Sequence, residues 1–125
     1  MSDLPLLAAL RDSARAHAGR PALRGDGGTR LGYAQLRDRI DALAAALRAA
    51  GCERDETVLV RVSNHPLDFA AFAAVWAAGA VAVPVHRTAP DGSIAAIQQK
   101  ARARLALDAL AATPGPHAPA AAATR

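Results

Sequence analysis

The chain has one cysteine, one lysine, very few aromatic residues and no uninterrupted apolar run long enough to cross a bilayer. With Cys52 alone there is no disulfide framework and no thiol pair for metal or redox chemistry, so a reducing, cytoplasmic setting is expected. The longest apolar stretch, residues 69–85, is interrupted by Gly79 and Pro84, and the N-terminus lacks the basic region, apolar run and small-residue cleavage site of a secretory signal. A soluble protein with no membrane partner is the expectation. Aromatics supply only 3% of residues, and basic side chains alternate with acids, as in Arg37-Asp38-Arg39 and Glu53-Arg54-Asp55-Glu56. The net charge of +4 therefore forms no basic stripe with interleaved stacking rings, and no nucleic-acid partner is expected.

What is abundant is alanine, which supplies about half of the 52% hydrophobic content, so each buried position removes little apolar area from water. A length of 125 residues allows one domain with a thin core. The composition assigns that domain to residues 1–110. Residues 111–125, rich in Ala, Pro and Gly, read as a disordered tail.

Leu6, Leu7, Leu10 and Ala14 fall at helical spacing over Leu4–Ala16, and Gly19-Arg20-Pro21 ends that helix. Residues 21–31, with Gly25-Asp26-Gly27-Gly28 in the middle, read as a small hairpin. Tyr33–Ala50 gives the clearest amphipathic pattern, with Leu36, Ile40, Leu43, Ala44 and Leu47 on one face. Gly32 occupies its N-cap position, where Gln35 can reach back to the cap amide although glycine offers no acceptor in return.

Thr57–Val62 and Ala80–Val85 read as buried strands, and Arg104–Leu107 as a last short one. Helices from Pro66 to about Ala78 and from Ser93 to Ala101 separate them, Gly79 providing a left-handed exit from the first. Strand–helix–strand–helix–strand order predicts an α/β fold: an open, mostly parallel sheet with flanking helices, plus the N-terminal hairpin.

In such sheets ligands bind beyond the carboxyl ends of the strands, which directs attention to Ser63-Asn64-His65 and His86-Arg87-Thr88. One reading is a polar edge for an anionic or nucleotide-like group, with Arg87 as its charge. The other, which the sequence favours, is that Asn64 and His65 cap the Pro66 helix while His86 and Arg87 are ordinary loop residues. His17, His65, His86 and His117 show no ligand spacing, so no metal site is expected. Cys52 has no neighbouring base and reads as a small filler. Gly25–Gly28 is not followed by a Lys-Ser or Lys-Thr pair and opens no helix, so it reads as a turn rather than a phosphate loop.

Taken in order, Arg20-Pro-Ala-Leu23, Leu31-Gly-Tyr-Ala-Gln-Leu36, the amphipathic helix, Gly51 with its acidic turn, Val58–Val62, Asn64-His-Pro-Leu-Asp-Phe69, Ala78-Gly-Ala-Val-Ala-Val-Pro84 and Ala103-Arg-Leu-Ala-Leu-Asp108 resemble the N-terminal portion of the adenylate-forming (AMP-binding) superfamily. That superfamily includes acyl-CoA synthetases, peptide-synthetase adenylation domains and luciferases. The Val83-Pro84-Val85-His86-Arg87 ending is most similar to acyl-CoA synthetases; Gly32 stands where the family usually has Thr or Ser.

For an intact relative the resemblance implies an ATP-dependent ligase using Mg2+ and CoA: a carboxylate attacks the α-phosphate of ATP, pyrophosphate leaves, and a thiol then displaces AMP. The phosphate loop, the adenine and ribose motifs and the catalytic lysine of that chemistry have no match here, and Lys100 does not correspond to that lysine. The chain is therefore expected to resemble an incomplete N-terminal subdomain, inactive alone and with no cofactor of its own. It carries no catalytic and no metal-binding residue; Arg87 is the one cofactor-binding candidate, at a CoA-phosphate entrance. Its expected partner is the remainder of such an enzyme, or a protein covering the exposed sheet. The alternative is a non-enzymatic interaction module derived from such an enzyme; a small unrelated nucleotide-binding domain is disfavoured by the missing phosphate loop.

Overall fold

In the computed structural model, which describes residues 4–111 and 115–117, the chain opens with helix α1 (Pro5–Ala16). Pro5 sits at its start, where the missing amide hydrogen costs nothing. Leu7 and Ala14 are buried and Leu10 packs against the same core, but Leu6 is 51% exposed, contrary to the expectation that it shares their face. Steps of three and four residues keep Leu7, Leu10 and Ala14 on one side, and Leu6, one residue ahead of Leu7, is rotated by about 100°.

The expected hairpin forms from β1 (Pro21–Arg24) and β2 (Arg30–Gly32), antiparallel with Leu23 opposite Leu31 and Arg24 opposite Arg30. Its turn uses Gly27 and Gly28 at φ of 72° and 81°, a region that favours glycine. The tip folds against Pro66: a Cβ on Gly25 would lie 2.6 Å from the Pro66 Cδ.

Helix α2 (Tyr33–Ala49) buries Leu36, Ile40, Leu43, Ala44 and Leu47, the face that the spacing predicts. At its start the Gly32 amide donates to Gln35 Oε1 at 2.8 Å, so half of a capping box is made and the glycine half has no side chain to complete it.

Strands β3 (Thr57–Val62), β4 (Val81–His86) and β5 (Leu105–Asp108) form a parallel sheet in the order β4-β3-β5, joined by α3 (Leu67–Ala77) and α4 (Asp91–Ala101). Central β3 is buried on both faces: Val58 and Val60 join α1, α2 and α3 in the main core, while Leu59 turns to the other face with Val85, Ile94, Ala103 and Ala106. The main core admits close helix contact because α3 presents Ala70, Ala71, Ala73, Ala74 and Ala77, all buried. Phe69, Phe72 and Trp76 line another side of α3, with both phenyl rings 6.3 Å from the indole.

Three further expectations need correction. Residues 80–85 do not form a strand buried throughout: β4 lies at the sheet edge, Val81 is 46% exposed, Pro84 is exposed, and within the strand only Val85 is buried. Apolar composition does not reveal strand order, and an edge tolerates the missing amide hydrogen of Pro84 where a central strand would not. Second, Pro116–His117, expected to be disordered, pair antiparallel with β5 as β6, making the sheet mixed. The remainder of that expected tail from residue 112 onward, 112–114 and 118–125, lies outside the described residues, apart from Gly115. The last helix also begins earlier than expected, because Asp91 in its first turn favours the positive helix end.

At the amino edge, Arg104 donates to both oxygens of Glu56, at 2.9 and 3.0 Å, and its second nitrogen also reaches the Gly51 carbonyl. The Arg104 hydrogen bond is the main cause that holds the Glu56 carboxyl below its ordinary value, followed by the backbone amide of Glu53. A carboxyl pKa lowered on folding stabilises the native state above the unfolded value of about 4.3 and loses that contribution as pH falls through the folded value. Glu56→Gln is accordingly expected to melt below the parent at neutral pH, with the difference closing on the acid side. A pH series of thermal unfolding checks this; a constant difference across the series would refute it.

Candidate functional site

The carboxyl ends of the three parallel strands lie side by side. Val62 at the end of β3 is in register with His86 at the end of β4, and Arg61 with Asp108 at the end of β5. β3 and β4 are neighbours in the sheet, so the loops after them converge.

Within the first loop, the Asp68 carboxylate accepts the His65 amide at 3.0 Å and, more weakly, the Ser63 amide at 3.3 Å. His65 Nδ1 accepts the Leu67 amide at 3.0 Å, so His65 does cap α3. Asn64 instead takes a left-handed conformation, φ 61°, and is exposed. The second loop closes on itself: His86 Nδ1 accepts the Thr88 amide at 3.2 Å and lies 2.8 Å from the Thr88 hydroxyl.

Arg87 is the most constrained of these side chains. Its amide donates to the Val62 carbonyl at 2.8 Å, and its guanidinium pairs with the Asp108 carboxylate, reaching from the end of β4 to the end of β5 across β3. Asp108 also accepts the Leu110 amide at 3.0 Å, and the Arg87 Nε is buried without a hydrogen-bond partner. On the far side of β5, Arg39 from α2 donates to the Ala109 and Ala111 carbonyls at 3.1 and 2.9 Å, fixing the turn after the strand.

Sequence reasoning singled out Arg87 but not Asp108 or Arg39. The available signal for Asp108 was its position directly after the expected strand Arg104–Leu107; Arg39 carries no local signal, because its acceptors lie seventy or more residues away. Elsewhere, burial is the main influence raising the Cys52 thiol above its ordinary value, which makes the reactive thiolate scarcer. Among the described residues no three His, Cys, Asp or Glu side chains converge on a metal position, and no helix is long and apolar enough to cross a membrane.

An open, mostly parallel sheet with flanking helices defines the class of fold, an α/β subdomain. The family described as "AMP-binding enzyme" matches residues 10–124, and the chain belongs to that family. It is the N-terminal portion of the adenylate-forming fold.

The chain is 40% identical over 77 residues to a phenyloxazoline synthase, MbtB, of Mycolicibacterium paratuberculosis, a match that covers 62% of the chain and 7% of the relative. It is 43% identical over 60 residues to a feruloyl-CoA synthase of Amycolatopsis sp, covering 48% of the chain and 12% of that protein. Among solved structures it superposes on the N-terminal subdomain of Klebsiella oxytoca NpsA with a TM-score of 0.70 at 24% identity, covering 92% of the chain and 30% of that subdomain. The matched regions thus span a small part of these proteins.

Proposed function

We propose that this chain supplies the first α/β scaffold of an adenylate-forming ligase and does not itself activate a carboxylate. The observation that carries the reading is the state of the carboxyl edge: Asp68, His65, His86 and Arg87 are all engaged by groups within the chain, so these loops hold positions rather than offer catalytic groups. ATP is the nucleotide of the family, and the complete reaction transfers an acyl group from its adenylate to a thiol.

Val83-Pro84-Val85-His86-Arg87 and the match to a feruloyl-CoA synthase support CoA as that thiol, with Mg2+ serving the ATP step. A second reading, a carrier-bound thiol as in peptide-forming synthases, is favoured by the more extensive matches to phenyloxazoline synthases. The partner in either case is the remainder of such an enzyme, in the cytoplasm.

The purified chain is expected to give no ATP–pyrophosphate exchange with a panel of aryl, fatty and amino acids in the presence of Mg2+. Exchange above the no-acid background would overturn the scaffold reading.

Arg87 enters this reading as a contact for a CoA phosphate, for which its guanidinium would exchange the Asp108 carboxylate for the phosphate. Asp108→Asn, which weakens the competing pair, is then expected to enlarge the rise in melting temperature produced by CoA, and Arg87→Gln to abolish it. Identical responses in both variants and the parent would remove Arg87 from the site.

A further inference from the structure

At the edge opposite these loops the surface opens into a cavity of about 740 Å³, lined by Leu4, Arg48, Arg54, Asp55 and Trp76 together with the turn 77–80. We propose that this cavity docks an acidic segment of polypeptide that carries at least one apolar side chain.

Charge at the cavity favours an acidic occupant, since two guanidiniums face one carboxylate. Arg48 spends one N–H on the Ala77 carbonyl at 3.3 Å, and a guanidinium has five to offer. Arg54 is exposed and, among the described residues, makes no hydrogen bond or ion pair. The end of α3 does not oppose an anion with free carbonyls at these positions: those of Ala74, Val75 and Trp76 accept the amides of Ala78, Ala80 and Gly79, and Arg48 takes that of Ala77.

The requirement for an apolar side chain comes from the walls and rim. Leu4 is 48% exposed and Val81, next to the lining residue Ala80, is 46% exposed; these are two of the three large hydrophobic side chains that the described residues leave exposed. The half-buried indole of Trp76 adds a flat apolar surface to the lining. A carboxylate over Arg54 with a leucine-like group against Leu4 and Trp76 would satisfy both kinds of surface.

The open form of the cavity favours a polypeptide over a small molecule. Small-ligand sites enclose most of their occupant, whereas here Leu4, Arg48, Arg54, Asp55 and Gly79 are exposed and only Ala77 and Ala80 of the lining are buried. Further polypeptide is characteristic of the relatives, in which the matched region occupies 7% of a phenyloxazoline synthase.

Trp76 is the only tryptophan in the chain, so its fluorescence reads the cavity directly. The test titrates the 125-residue chain with an acetylated octapeptide of alternating Glu and Leu, with the corresponding Lys and Leu peptide, and with an oligothymidylate octamer. The acidic peptide is expected to give a saturable change, and Arg54→Glu, at an exposed position, to weaken it by about tenfold or more while leaving the melting temperature unchanged. Leu4→Ser is expected to weaken it as well. The proposal is overturned by the absence of a saturable change with the acidic peptide, by an equal or larger response to the basic peptide or the oligonucleotide, or by full affinity in Arg54→Glu.

Discussion

Replacing Leu43 by alanine is expected to lower the unfolding free energy by about 2–5 kcal/mol, the range for deleting a fully buried leucine. Leu43 has no solvent exposure and lies on the buried face of α2 among Leu36, Ile40 and Leu47. Much of the wall it faces is alanine from α3, whose short side chains cannot swing in to fill the space left behind. A small domain holds only about 5–15 kcal/mol in total, so the loss is a large share of what there is. Leu6→Ala is the matched control: the same atoms are removed from a side chain that is 51% exposed, and the change is expected to stay within about 0.5 kcal/mol. Urea unfolding followed by the fluorescence of Trp76 measures both, and comparable losses in the two variants would contradict the assignment of these faces.

Gly25→Ala is expected to cost about 1–3 kcal/mol, the range for overpacking a closed contact. The added methyl would meet the Pro66 ring at 2.6 Å from Cδ and 2.7 Å from Cγ, and a proline ring is anchored in the backbone and cannot rotate aside. Gly25 has φ −129°, an extended conformation open to alanine, so the loss is steric and carries no backbone penalty. Gly19→Ala separates the two effects, because a Cβ there meets nothing within 4 Å, and it is expected to leave stability unchanged or slightly raised. The hairpin tip and the loop after β3 should move together in Gly25→Ala, visible as amide shifts for both Thr29 and His65. Unchanged stability would show that the contact yields freely.

Features set by neighbouring residues were legible in the sequence. Periodicity located the buried face of α2, β-branched content located β3, and Gly79 was placed at the end of α3, where it adopts φ 81°. Alternation of strand and helix gave the parallel sheet. What escaped depends on residues far apart in the chain. The edge position of β4 is decided by β5 pairing on the other side of β3, and nothing inside Val81–His86 records that event. The same holds for the carboxyl edge: Arg87 and Asp108 could each be seen just beyond an expected strand, but their pairing follows from the order β4-β3-β5. The exposed side chain of Leu6 is a subtler case, because one helical turn offers two leucines to one core and spacing alone does not choose between them.

The placement of β3 between β4 and β5 also bears on how the chain can acquire its shape during synthesis. Thr57–Val62 pairs first in sequence with Val81–His86, after a single helix, and Leu105–Asp108 then adds to its free side after one more. Each parallel pairing becomes available as soon as the next strand has left the ribosome, and none requires an earlier pairing to be undone. Vectorial folding of this kind limits the time for which the apolar edges of β3 are open to wrong partners.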